Sequence, residues 1–156
     1  MVSGVLVLAV GARPSAEAPY PTIGVPDAHV GTTYGFDGLL CVGSQVATTT
    51  VEDVRVREAD GGTTRVVRPP EGPTTIGFPV DPDAGAPAAG LEVPAGPLDC
   101  SLRVLVTPDE QGRVRAGEVE LVLAYGPGGV LSRTVVLRPD VDLSVTRTGP
   151  DPRARR

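Results

Sequence analysis

The chain has 156 residues, the size of one domain with short tails, and is long enough to bury roughly two thirds of its unfolded surface without help from a metal. Fourteen basic residues, all arginine, face 19 acidic ones, and the resulting net charge of −5 argues against nucleic acid or an anionic membrane surface as partner. Aromatics are 3% of the chain and Trp is absent, so the core must be aliphatic, while 20 Gly and 17 Pro favour short strands joined by turns over long helices. Lys and Asn are missing and Ile occurs twice, a pattern that a GC-rich coding bias explains without design.

The first 18 residues read as a signal-like leader. Val2 to Ala12 is an apolar run of the length of an export signal's heart, and Ala16-Glu17-Ala18 approximates a cleavage pattern. No positive charge precedes the run, and an ordinary first strand is the competing reading. Residues 19–33 hold Pro19, Pro21 and Pro26 and are expected to be an extended linker or an edge strand, because Pro cannot donate to a sheet ladder.

From Tyr34 the pattern becomes a series of short apolar runs. "YGFDGLLCV" is a strand apolar on both faces near Leu39 to Val42. "VATTTVEDVRVRE" alternates Val54 and Val56 with Arg55 and Arg57, and Asp60-Gly61-Gly62 signals a hairpin returning through "TTRVVR". "TTIGFPV" places Ile76, Phe78 and Val80 on one side, and a Pro/Gly/Ala loop runs from Asp81 to Gly90. In "LDCSLRVLV" the residues Leu98, Cys100, Leu102, Val104 and Val106 share an apolar face, with Asp99, Ser101 and Arg103 opposite. "GEVELVLAY" repeats the form with Val119, Leu121, Leu123 and Tyr125 inward, "GPGG" turns it into "VLSRTVVL", and "VDLSV" closes the domain. The C-terminal residues 147–156, "RTGPDPRARR", read as a frayed, disordered tail.

Seven or eight strands with no persuasive helix predict an all-β fold over residues 34–146: an antiparallel sandwich of Greek-key or immunoglobulin-like type, with a closed barrel as runner-up. Cys41 and Cys100 both fall on core strands, and in an exported protein they form a disulfide closing a loop of about 60 residues, worth roughly 4 kcal/mol. In a cytosolic protein the same pair would be two buried thiols.

The run of "YGFDGLLCV", "GEVELVLAYGPGG" and Val/Arg/Pro/Gly-rich strands from about Tyr34 to Val145 resembles uncharacterised secreted or membrane-tethered β-sandwich proteins of actinobacteria. That resemblance implies location and fold, not activity.

No catalytic constellation emerges, and the chain is expected not to be an enzyme. His29 is the sole histidine, in "PDAHVG", and an assembled site would have to recruit it with Asp27 or Asp37. Asp81 and Asp83 in "DPDAG" resemble the start of a calcium loop but lack its third oxygen ligand and closing Glu. No metal site, cofactor or small-molecule cofactor partner is expected. The leading expectation is a secreted or cell-envelope module with a structural or protein-interaction role, engaging another envelope protein through a sheet edge or the Asp81–Gly90 loop. The alternatives are a small enzyme built around His29 and a cytoplasmic subunit of a larger assembly.

Overall fold

The computed structural model describes residues 13–19, 21–57 and 61–155. The apolar run of the leader and Asp60 of the predicted hairpin lie outside the described residues. In chain order the strands are β1 (Ser15–Glu17), β2 (Ile23–His29), β3 (Tyr34–Asp37), β4 (Cys41–Gly43), β5 (Thr49–Val56), β6 (Gly62–Arg68), β7 (Ile76–Pro79), β8 (Ala86–Pro87), β9 (Glu92–Val93), β10 (Arg103–Pro108), β11 (Gly112–Arg115), β12 (Val119–Tyr125), β13 (Leu131–Leu137) and β14 (Val141–Arg147). Two short 3-10 turns, Pro127–Gly129 and Pro152–Arg155, are the helical elements among the described residues.

The protein is an all-β sandwich. One layer has the order β7-β3-β10-β6-β8. The other is built on a long hairpin whose arms are each broken once. β12 and β13 pair in antiparallel register from Val119↔Leu137 to Tyr125↔Leu131, and β11 and β14 continue the same arms from Arg115↔Asp142 to Gly112↔Val145. The register slips by one residue across the break, where Pro139 removes a ladder donor. β5 pairs with β12 and carries β9, and β2 pairs with β14. Counting each broken arm once, strands of four or more residues number eight among the described residues. One pairing departs from an antiparallel plan: β2 runs parallel to β14.

A single aliphatic core lies between the layers. Phe36, Leu102, Val104 and Val106 come from the first layer and the segment leading into it, and Leu121, Leu123, Leu143 and Val145 from the second, all buried. The period-two pattern places Val119, Leu121, Leu123 and Tyr125 inward as predicted. The four consecutive buried residues Leu39 to Val42 bear out a segment apolar on both faces.

Several expectations need correction. The segment after Asp60 does not fold back on β5. β5 pairs with β12 while β6 pairs with β10, so the two strands lie in different layers and are not the arms of one hairpin. The strand expected from Leu98 begins at Arg103, Cys100 is exposed, and Asp99 contributes only an isolated bridge to Val42. Ile76 and Phe78 share one side of β7 but it is the exposed side, since Gly77 between them faces the core residues Val25 and Phe36.

Both ends of the described chain carry ordered structure. Residues 13–18 belong to the folded body: β1 pairs with β4, and the Arg133 guanidinium donates to the Pro14 carbonyl at 2.6 Å. Residues 19–33 supply β2, an edge strand that accommodates Pro26. The tail is not frayed through residue 155, because Asp151 is 1% exposed and anchored by side-chain hydrogen bonds.

Candidate functional site

Cys41 and Cys100 form a disulfide, spanning 59 residues of sequence. Its two ends differ. Cys41 is 5% exposed within the buried β4, whereas Cys100 is exposed and lines a cleft of about 280 Å³ with Asp37, Pro69, Pro73 and Arg103. Arg103 stands directly opposite Asp37 across the β3–β10 pair. Its Nε and Nη2 donate to the two carboxylate oxygens at 2.6 and 2.9 Å, and both side chains are nearly buried. The Asp37 hydrogen bonds raise the Arg103 pKa above its ordinary value. Asp37 also accepts the Thr75 amide at 2.8 Å, so its carboxylate is fully committed to holding the fold.

His29 lies in a different network. Its ring Nδ1 is 2.7 Å from the Gly149 carbonyl, and its amide donates to the Tyr34 hydroxyl at 2.8 Å. That hydroxyl in turn donates to Asp151. Arg153 donates to Asp151 through both backbone and guanidinium and lies 5.7 Å from the centre of the Phe78 ring. Burial, with the Asp151 contact adding to it, pushes the Tyr34 hydroxyl up to about 12. Hydrogen bonds from Arg153 hold the Asp151 carboxyl down to about 2. This cluster fastens the C-terminal segment across β2, β3 and β7. Asp27, exposed at φ 54°, accepts a hydrogen bond from Thr146 instead. No hydrogen bond joins His29 to Asp27 or Asp37 among the described residues.

Asp81 and Asp83 are both exposed. The Asp81 carboxylate accepts the Asp83 amide at 2.9 Å, a local turn that consumes one oxygen. Among the described residues no three His, Cys, Asp or Glu side chains gather at metal-holding distance.

The same loop roofs a second opening, a groove of about 480 Å³ between the edges of β5 and β6, lined by Asp53, Val54, Val56, Val66, Asp83 and Ala86 among others. Its geometry follows from the placement of β5 and β6 in different layers. Arg57 donates to Glu118 at 3.0 Å. By antiparallel alternation Arg55 also faces β12, so Val54 and Val56 turn their backbone groups to the opposite side. There β9 and the two residues before it cover Thr49 to Val51 and no further among the described residues. The Val54 amide is satisfied by the Asp53 carboxylate at 2.9 Å, while the Val56 edge has no strand partner among the described residues. Across the groove β8 pairs only with Val67 and Arg68 of β6. Arg65 donates to the Pro82 carbonyl at 3.1 Å and ties the roof to β6. Gly85 makes the close approach possible: a Cβ there would lie 2.3 Å from the Arg68 carbonyl oxygen, and its φ is +97°. The alternation of Val54 and Val56 with arginines signals a half-buried strand, but no sequence signal marks which of its edges is left open.

Comparison with known proteins finds no matching family model and no matching curated protein.

Proposed function

We propose that the protein is a non-catalytic binding module of the cell envelope, which takes an extended segment of a partner protein along the open edge of β5, beneath the 81–90 loop. The observation that carries this reading is the groove, which combines strand backbone at Val56 that has no hydrogen-bond partner among the described residues with a half-buried apolar row, Val54 and Val56. An added strand gains main-chain hydrogen bonds from such an edge, and its alternate side chains enter the groove for specificity. Long open edges are a liability unless blocked or used, and the Asp53 carboxylate blocks one amide of this one.

Export is supported by the disulfide, which persists in oxidising compartments, and by the apolar run from Val5 to Val10. The immunoglobulin-like, Greek-key reading is supported by strands distant in sequence lying side by side, with β10 between β3 and β6; the resemblance to actinobacterial envelope proteins rests on the sequence runs from Tyr34 to Val145 alone. The enzyme reading finds less support, since His29, Asp27 and Asp37 each serve a separate structural partner.

The test is selection of a random heptapeptide library on the full chain, followed by calorimetry of selected peptides. Val56→Pro removes the edge donor on the side away from β12, and Ala84→Arg fills the groove from the roof. Each is expected to weaken binding by about tenfold or more, with Phe78→Ser, remote from the groove, unchanged. A library that yields no binder, or peptides indifferent to both groove variants, would refute the proposal.

A further inference from the structure

The disulfide joins one buried and one exposed cysteine. Cys41 is enclosed in β4, which pairs with β1 through Glu17↔Cys41 and with the Cys100 side through Val42 and Asp99. Those last two residues exchange backbone hydrogen bonds of 2.9 and 2.8 Å. Cys100 is exposed at the mouth of the smaller cleft. Thiol–disulfide exchange requires the incoming thiolate to reach one sulfur while the other leaves, so access decides which sulfur is attacked. The Asp37–Arg103 pair in the cleft wall is charge-balanced, and the wall does not repel an anionic nucleophile.

We infer that Cys100 is a site of reversible modification by low-molecular-weight thiols, with Cys41 as the resolving residue. A small-molecule thiolate attacks the Cys100 Sγ and forms a new S–S bond. The Cys41–Cys100 bond breaks, and its electron pair leaves on the Cys41 Sγ, which takes a proton from solvent. In the reverse direction the Cys41 thiolate attacks Cys100 and expels the small thiol. The Val42–Asp99 bridge is independent of the disulfide and keeps Cys41 beside its target, so the fold stays closed around the opened bond.

The native full chain, treated with free cysteine as the thiol, quenched in acid, alkylated with N-ethylmaleimide and mapped by peptide mass, tests this. The expected product carries the cysteine adduct on Cys100 and the maleimide on Cys41, in about tenfold or greater excess over the converse. Its rate should rise in proportion to thiol concentration and stay unchanged in urea below the unfolding transition. An adduct on Cys41, an even mixture, or a rate that climbs with sub-denaturing urea and so requires unfolding, would overturn the assignment.

Discussion

Replacing Asp37 by Leu removes the partner of a guanidinium whose side chain is 9% exposed. The variant loses both charge-assisted hydrogen bonds to Arg103 and the acceptor of the Thr75 amide. An unpaired buried charge of this kind typically costs about 3–5 kcal/mol. Arg103→Met leaves the carboxylate with the Thr75 amide alone, and a loss in the same range is expected. The double variant Asp37→Leu/Arg103→Met strands no charge and forfeits only the Thr75 acceptor, so its loss should be about 2 kcal/mol or less. Urea unfolding with the disulfide intact reads all three. With a slope of about 2 kcal/mol per M, each single variant moves the midpoint down by about 2 M and the double by about 1 M or less. Single variants that each lose under about 1 kcal/mol, or a double whose loss equals the sum of the singles, would refute the claim that burial makes the pair interdependent.

Cys41→Ala/Cys100→Ala should leave the far-ultraviolet spectrum of the sandwich while lowering stability by roughly 4 kcal/mol, read as a urea midpoint shift of about 2 M. The Asp151 carboxyl lies at about 2, below its ordinary value of 3.8. Its contribution is therefore complete above pH 4 and lost as pH falls through about 2; Asp151→Asn should flatten that segment of the stability–pH curve by about 1–2 kcal/mol. At the alkaline end the raised Tyr34 pKa places the corresponding loss between pH 10 and about 12, and Tyr34→Phe should abolish it in the same titration. Gly85→Ala forces a Cβ against the Arg68 carbonyl at a positive φ; a loss of about 1–3 kcal/mol, with faster proteolysis in the 81–90 loop, is expected.

Alternation made the inward faces of β12 and β14 legible, because Val119, Leu121, Leu123 and Leu143 follow a strict period of two. The same rule puts Arg103 opposite the apolar face but does not reveal its burial. Val80 packs over that face of the sheet, and the missing side chain of Gly35 makes room: a Cβ there would lie 2.9 Å from Val80 and 3.3 Å from Arg103. Periodicity reports which side a residue takes, not whether chain from elsewhere covers that side. The C-terminal segment was unreadable for a related reason. "GPDPRAR" has no apolar period, and its anchoring rests on three polar groups, from Tyr34, Asp151 and Arg153, that meet only after folding. The two cysteines were legible as a pair, but their unequal exposure was not, since Cys100 precedes the strand that the pattern extended to include it. The groove could be named by its loop but not by its open edge, because strand neighbours are a property of topology.

Amide hydrogen exchange resolved residue by residue, with and without a peptide selected for binding, addresses the edge most directly. Val56 should exchange quickly in the free protein and become protected by about tenfold or more when the peptide is bound, while Arg55 and Arg57, turned toward β12, change little. Unaltered exchange at Val56, with protection appearing along β7 or at the C-terminal cluster instead, would contradict strand addition at this groove.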